Sequence, residues 1–235
     1  MKKKIQLFLL LYISIFSYCY GQDDDAIKLK IEKIIDGKKA KVGVSIANKN
    51  GRELVSIKGK DRFPLQSVFK LYIAIVVFHE IDHGNLSIDQ TVNIKPKDLL
   101  PDTYSPLKIK FPYGTKMTLH NLLEYTVSES DNIECDILLQ LIEGPQVVEK
   151  FFIRHHLKDL SIKINEEMQQ ASWNAEFINW TLPKVTNDIL WMYYNKKLNL
   201  LSENSYSALW RMMTETNTGA ARIKALLPKN TIVSH

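Results

Sequence analysis

The chain has 235 residues, of which 45% are hydrophobic and 24% are charged, so it can bury one or two cores and is neither disordered nor fibrous. Lys2, Lys3 and Lys4 precede every acidic residue; without them 28 of the 31 basic residues remain against 26 acidic ones, and the net charge falls from +5 to +2. A surface this close to neutral is not expected to bind nucleic acid or an acidic membrane.

The first 21 residues have the pattern of a cleaved export signal. Lys2–Lys4 form a basic start, residues 5–16 an apolar run, and Cys19-Tyr20-Gly21 a small-residue exit. The apolar run is shorter than the ~20 residues that a bilayer span needs, although an uncleaved anchor and lipid attachment at the cysteine are alternatives. We therefore predict a signal peptide over residues 1–21, a periplasmic mature protein without a membrane anchor, and no partner for Cys135 in an intrachain disulfide.

The first predicted elements of the mature chain are a helix and a β-hairpin. An amphipathic pattern over residues 26–34 predicts a helix that ends near Gly37. Apolar and small residues alternate over residues 42–47, a turn follows at residues 48–51, and a returning strand is predicted over residues 54–57.

A long apolar segment, residues 68–78, begins directly after Ser67. It is too apolar on all sides for a surface helix and too long for a strand, so a buried helix is predicted, ending at Gly84. Residues 85–112 are polar and contain proline, which predicts irregular structure. Further helices are predicted over residues 118–128, 133–142, 146–156, 184–194 and 202–216.

The order of these elements predicts an α+β fold. Strands and helices are segregated along the chain, which favours a helical part, residues 63–218, inserted into an antiparallel-sheet part, residues 22–62 and 219–235. Residues 231–235 resemble the beginning of another strand. With two strands and this beginning, we expect the sheet to be short of strands.

The pattern Ser67-Val68-Phe69-Lys70 places a hydroxyl and an amine one turn apart at the start of the buried helix. A serine attacks an acyl carbon only with a base in hydrogen-bond reach, and a desolvated lysine can be that base. The helix N-terminus and the Ser67 N–H would stabilise a developing oxyanion. Alone, however, the Ser-x-x-Lys pattern is weak, because it occurs often by chance.

A second motif, Ser130-Asp131-Asn132, lies between two predicted helices. A second serine can pass a proton to a leaving nitrogen, and an asparagine amide can hold the lysine and bind a substrate carbonyl. The same three residue types also cap helices, which is the structural alternative. A glutamate pair, Glu166-Glu167, follows in the polar segment 165–180, which is predicted to be a long surface loop of the kind that often carries function.

Together the two motifs resemble those of the class A serine β-lactamases, and more closely those of the PER- and CfxA-like branch found in Bacteroidetes. The likeness covers residues 26–235. It includes the segment 84–90 after the nucleophile helix, Tyr104-Ser105-Pro106 as an aromatic wall, and residues 218–222 and 226–228 before the third strand.

The resemblance implies hydrolysis of the β-lactam ring of penicillins and cephalosporins, and hence antibiotic resistance. It implies that Ser67 opens the ring with Lys70 as its base. Ser130 would protonate the lactam nitrogen, and Glu166 would activate the water that releases the acyl-enzyme, with Glu167 left open as the alternative. Substrate contacts are implied for Asn132, Tyr104, Gln170 and Arg222. We expect a monomer without cofactor or metal ion.

The chain departs from the family pattern in two places. Most members have an arginine shortly before the deacylating glutamate, a proline after it and an asparagine four residues beyond, whereas this stretch contains Lys163, Ile164, Asn165, Glu167 and Gln170. The third motif, Lys-Thr/Ser-Gly, does not occur after Arg222. In the family, the strand just beyond this motif supplies the second oxyanion donor, and losing one such donor typically costs ~10²–10³ in rate. We therefore expect the chain as written to be insoluble or nearly inactive.

Three other functions are compatible with parts of the sequence. His79-Glu80-Ile81-Asp82-His83 matches the zinc-protease pattern His-Glu-x-x-His, but Gly84 ends the helix there and no third ligand is clear. A penicillin-binding DD-peptidase would share the first two motifs without the deacylating glutamate. An inactive homologue is the alternative that is not an enzyme.

Overall fold

The structure is a computed structural model, and its described residues fall into two compact units. Described are residues 24–197, 200–219, 221–222 and 224–234. The first unit contains the described residues up to Phe63 together with Leu182–Trp191, and the second contains Pro64–Thr181 and the chain from Met192 onward. The predicted export signal, residues 1–21, lies outside the described residues.

The described elements include both helices and strands. The helices are α1 (residues 24–35), α2 (Phe69–Asp82), α3 (Pro106–Lys110), α4 (Leu119–Ser128), α5 (Asn132–Leu141), α6 (Pro145–Arg154), α7 (Glu166–Gln170), α8 (Pro183–Tyr194) and α9 (Glu203–Thr214). The strands are β1 (Val44–Ala47), β2 (Glu53–Ile57), β3 (Phe63–Pro64), β4 (Thr91–Ile94), β5 (Thr115–Thr118), β6 (Leu160–Ser161) and β7 (Trp180–Thr181). The predicted α+β class is confirmed.

In the first unit, the predicted hairpin is confirmed. β1 pairs antiparallel with β2, and Gly51 closes the turn at a φ of +80°, a backbone conformation that favours glycine. The beginning of α8 is bonded to this hairpin. Asn187 Nδ2 donates to Ser45 Oγ at 3.0 Å, and Trp191 Nε1 donates to Lys49 O at 3.0 Å.

In the second unit, α2 is the central helix. Its residues from Tyr72 to Val77 are fully buried, as the all-round apolar pattern predicts. α4, α5, α6 and α9 pack against it. Because the helix is held on all sides, its N-terminal end is a rigid support for the side chains that project from it.

The five further helices predicted in sequence are confirmed with small shifts of their ends. Side-chain caps account for two of the starts. Asp131 accepts a hydrogen bond from Ile133 N at 2.9 Å at the start of α5, and Ser202 accepts one from Ser205 N at 3.2 Å at the start of α9. A cap takes non-helical backbone angles, so each helix begins one residue after it.

Two predictions of irregular or extended structure are wrong. Residues 85–112 contain β4, which pairs antiparallel with β5, and also contain α3. Each of these strands has four residues and buries one of them, which is too short for a pattern of alternation. Residues 231–234 form no strand in the described chain; Thr231 N donates to Pro228 O at 3.1 Å in a turn instead.

Two further findings bear on placement and on cysteine chemistry. No helix within the described ranges is long and apolar enough to cross a membrane. Cys135 is buried in α5 as a free thiol. Burial raises the pKa of this thiol well above its usual value, so Cys135 packs as a small apolar side chain.

Candidate active site

Ser67 and Lys70 stand together at the beginning of α2. Gln66–Val68 form a 3₁₀ turn that runs directly into the helix, which places Ser67 at its N-terminal end. Lys70 Nζ donates to Ser67 Oγ at 3.2 Å, and the lysine is only 3% exposed. The amine is therefore buried, and it lies in hydrogen-bond reach of the hydroxyl of Ser67, which is exposed.

The Lys70 ammonium joins three segments that are distant in the sequence. Besides Ser67, its Nζ donates to Asn132 Oδ1 at 2.8 Å, at the start of α5, and forms a buried ion pair with Glu166 Oε1, at the start of α7. An ammonium has three N–H donors, so all of them have acceptors here. Glu167, by contrast, is exposed.

Ser130 lies in the break between α4 and α5. Its φ of +57° is in the left-handed region, which costs a residue other than glycine about 1–3 kcal/mol and persists only where neighbours hold it. Asp131 is the fully buried neighbour. Its Oδ2 accepts from Ser105 Oγ at 2.8 Å and from Leu107 N at 3.0 Å, while Oδ1 caps α5. In the described chain, no hydrogen bond joins Ser130 to Lys70.

Asp136, which the sequence analysis did not select, holds the start of α7 in place. Its carboxylate accepts hydrogen bonds from Asn165 Nδ2 at 2.9 Å, from Glu166 N at 2.7 Å and from Glu167 N at 3.0 Å. Burial raises the pKa of Asp136 to about 6, although these amide hydrogen bonds favour the anion. The only signal in the sequence is its position four residues after Asn132, on the same face of α5.

Asn179 fixes the other side of the α7 segment. Its Oδ1 accepts from Lys163 N at 2.8 Å and from Ile164 N at 3.1 Å, and its Nδ2 donates to Ile164 O at 2.7 Å. Segment 165–180 is thus not a surface loop throughout, because it contains α7, a 3₁₀ turn at Ala175–Phe177 and the fully buried Asn179.

Tyr104 lies beside Asn132. The Asn132 backbone N–H donates to Tyr104 O at 3.2 Å, while the tyrosine side chain is 57% exposed. The tyrosine hydroxyl donates to Glu129 O at 3.4 Å. The structure therefore brings Tyr104 to the same edge as Asn132.

Gln170 and Arg222 are not part of the cluster that Lys70 forms with Ser67, Asn132 and Glu166. Both are exposed, and in the described residues neither is hydrogen-bonded to Ser67, Lys70 or Glu166. On the short helix α7 the residue three positions after Glu166, Gln169, shares its buried face, whereas Gln170 turns outward.

His79 and His83 have their own partners at the end of α2. The His79 Nδ1 lies 3.1 Å from Leu200 O, the His83 Nδ1 lies 2.8 Å from His79 O, and the centroids of the two tilted rings are 4.0 Å apart. Within the described ranges, no three His, Cys, Asp or Glu side chains come together as a ligand set. The arrangement gives no support to a catalytic zinc site at these two residues.

Glu134 is predicted to make stability fall as pH rises. The residue is fully buried, and burial, together with the neighbouring Asp131 carboxylate, raises its pKa from 4.5 to about 10. Between these two values the folded chain keeps a proton that the unfolded chain releases, so the free energy of unfolding decreases with rising pH. Glu134→Gln keeps the shape without the proton and should flatten this dependence.

Urea unfolding at pH 5, 7 and 9 measures the effect of Glu134→Gln. Glu124→Gln, at a half-buried position of α4, is the control for removal of a carboxylate elsewhere. Equal pH dependence in the wild type and in Glu134→Gln would contradict the prediction.

Comparison with known proteins gives consistent results. A family model described as the Beta-lactamase enzyme family matches residues 26–235. Beta-lactamase VEB-1 of Pseudomonas aeruginosa is 48% identical over 233 residues, which cover 99% of this chain and 78% of that protein. Extended-spectrum beta-lactamase PER-1 of the same organism is 36% identical over 228 residues, covering 96% and 73%.

Solved structures agree with the sequence matches. A beta-lactamase from Chitinophaga pinensis DSM 2588 superposes with a TM-score of 0.84 at 38% identity, covering 88% of this chain and 76% of that one. The TLA-1 extended spectrum Beta-lactamase gives a TM-score of 0.84 at 39% identity, covering 89% and 76%.

Proposed function

This chain belongs to the β-lactamase family and, within it, to the class A serine enzymes, and from this premise we propose that its acyl-enzyme forms on Ser67. It is a hydrolase that opens the ring of β-lactam antibiotics and thereby confers resistance to them. The observation that carries the proposal is the Lys70 ammonium, which contacts Ser67, Asn132 and Glu166 at once.

In the acylation step, Lys70 is the base. In its neutral form the amine faces Ser67 Oγ at 3.2 Å, where it can act as the base. As the Ser67 oxygen attacks the lactam carbonyl, its proton moves to Lys70. When the C–N bond of the ring breaks, Ser130 gives its proton to the nitrogen and takes one back from Lys70.

In the deacylation step, Glu166 is the base. It takes a proton from a water molecule that attacks the ester carbonyl, and passes it through Lys70 to the Ser67 oxygen as that oxygen leaves. The structure favours Glu166 over Glu167, because Glu166 is buried against Lys70 while Glu167 is exposed.

Asn132 and Tyr104 are the proposed substrate contacts. The Asn132 amide is oriented by Lys70, and Tyr104 forms a wall beside it. The sequence resemblance also implies contacts for Gln170 and Arg222, whose side chains stand on the surface. A role for either one would need a movement toward the bound substrate.

Rapid-quench mass spectrometry of the purified protein during turnover of a chromogenic cephalosporin tests the proposal. We expect turnover, at whatever rate this chain supports, through a short-lived covalent adduct on the peptide that contains Ser67. A stable adduct without turnover would support a penicillin-binding DD-peptidase instead, and turnover with no adduct on Ser67 would overturn the acyl-enzyme assignment.

We also propose that the protein is exported to the periplasm as a monomer after cleavage of residues 1–21. The basic start and short apolar run of this segment support cleavage. N-terminal sequencing of periplasmic protein is expected to begin at Gln22, and light scattering to give the mass of one chain.

Replacing Asp136 by asparagine is predicted to slow deacylation. The neutral amide accepts weaker hydrogen bonds from the N–H groups of Glu166 and Glu167 than the carboxylate does. We therefore expect α7 to shift and the carboxylate of Glu166 to move. A misplacement of ~1 Å can cost about 10²-fold in rate. Single-turnover rates of acylation and deacylation measure the effect; Glu167→Gln is the control, and unchanged deacylation in Asp136→Asn would contradict the prediction.

A further inference from the structure

A lysine of α3 binds three backbone carbonyls of the segment that carries Tyr104. Lys108 Nζ donates to Leu100 O at 2.7 Å, to Pro101 O at 2.6 Å and to Thr103 O at 3.0 Å. All three N–H donors of the ammonium are thus used within one short stretch of chain. We call residues 99–104 the Tyr104 segment.

The ammonium is what allows these carbonyls to converge. Three carbonyl oxygens directed at one point repel each other unless a cation lies between them, and hydrogen bonds to a charged group are stronger than neutral ones. A short 3₁₀ turn, Pro96–Asp98, directly precedes the Tyr104 segment, and residues 99–104 form no strand. Its backbone is held by the three bonds to Lys108, by turn hydrogen bonds at Leu99 N and Leu100 N, and by the Asn132 N–H that donates to Tyr104 O.

Tyr104 lies between two anchors. On one side Lys108 holds Thr103 O; on the other, Ser105 Oγ donates to the buried Asp131 and accepts from Lys108 N at 2.9 Å. Within the described chain the exposed side chain of Tyr104 makes one hydrogen bond, from its hydroxyl to Glu129 O at 3.4 Å, so the position of the ring depends on the backbone that carries it.

We propose that Lys108 is a positioning residue for the substrate site: its ammonium fixes the Tyr104 segment so that Tyr104 stands beside Asn132. The inference rests on the proposed function of Tyr104 as a substrate contact. Lys108 itself touches neither substrate nor reacting atoms, so its loss changes substrate binding more than the chemical steps.

Lys110, two residues further along α3, is a matched control. Its Nζ lies 3.3 Å from Tyr125 OH and sits over the rings of Phe111 and Tyr125. It has the same charge on the same short helix, but its contacts are with side chains. Lys110→Met therefore removes a lysine without opening the carbonyl cluster.

Steady-state kinetics and hydrogen exchange of Lys108→Met test the proposal together. We expect KM for a cephalosporin to rise about tenfold, the equivalent of one lost charged hydrogen bond, with kcat changed less than about twofold. Backbone amides of the Tyr104 segment should exchange faster, because the carbonyl cluster is no longer held. Lys110→Met should change neither quantity.

Chemical rescue excludes general misfolding as the cause. Lys108→Ala removes the atoms of n-propylammonium, so this cation should restore both KM and slow exchange, whereas tetramethylammonium, which has no N–H donor, should not. Rescue is measured on one protein sample with and without the cation.

The outcomes separate this inference from the proposed function. Unchanged exchange and KM in Lys108→Met, or equal effects of the two cations on Lys108→Ala, would overturn the positioning role. Faster exchange with unchanged KM would overturn the link from Lys108 to substrate through Tyr104. Absence of hydrolysis by the wild type would instead refute the proposed function, while the exchange measurement would still report on Lys108.

Discussion

Replacing Ser67 by alanine is expected to abolish β-lactam hydrolysis and leave the fold unchanged. The hydroxyl supplies the oxygen that attacks the ring. Lys70, its hydrogen-bond partner at 3.2 Å, cannot replace it as the nucleophile. Loss of the serine nucleophile from the catalytic triad of a serine protease costs about 10⁶-fold in kcat. Because Ser67 lies in the exposed 3₁₀ turn that precedes α2 and not in the core, alanine leaves the packing intact.

Hydrolysis of a chromogenic cephalosporin, measured with thermal unfolding of the same sample, tests the Ser67→Ala prediction. Ser207→Ala, at an exposed position of α9, should retain full activity. Persistent turnover by purified Ser67→Ala with an unchanged melting temperature would sink the assignment of the nucleophile.

Local geometry explains why part of the site could be predicted from sequence. Ser67 and Lys70 are three residues apart, so the helical period alone brings them together once a helix is expected. The buried character of α2 follows from its apolar pattern. The fold class likewise follows from the segregation of strands and helices, and the structure confirms it.

Contacts between distant segments required the family resemblance or the structure. Lys70 and Glu166 are 96 positions apart, and nothing in the local pattern joins them. Asp136 could not be selected because an acidic residue in a helix is usually solvated. Its burial comes from the packing of α5 against α2 and α7, which a local pattern does not encode.

The sequence did not predict the short strands β6 and β7, and the physical reason is of the same kind. β6 and β7 have two residues each and pair antiparallel, so neither shows alternation by itself. Their pairing is made by the chain on both sides, including the hydrogen bonds of Asn179 to Lys163 and Ile164. Tertiary contacts thus decide these strands.

Replacing Glu166 by glutamine is expected to trap the acyl-enzyme. The amide oxygen can still accept from Lys70, so the buried ammonium keeps an acceptor and the fold is retained, but the amide cannot take a proton from water. A positioned general base contributes about 10²–10⁴-fold, so we expect deacylation to slow by about 10³-fold while an initial burst of ring opening remains. Stopped-flow absorbance gives the burst, and intact mass gives the lifetime of the adduct.

Glu167→Gln distinguishes the two adjacent carboxylates in the same assay. The Glu167 side chain is exposed, and its contribution to the Asp136 cluster is a backbone N–H that glutamine retains. We therefore expect Glu167→Gln to turn over at nearly the wild-type rate. A long-lived adduct on Glu167→Gln, together with normal turnover by Glu166→Gln, would show that Glu167 is the base. Asp136 would then position Glu167 for catalysis, and not the Glu166 carboxylate that Lys70 binds.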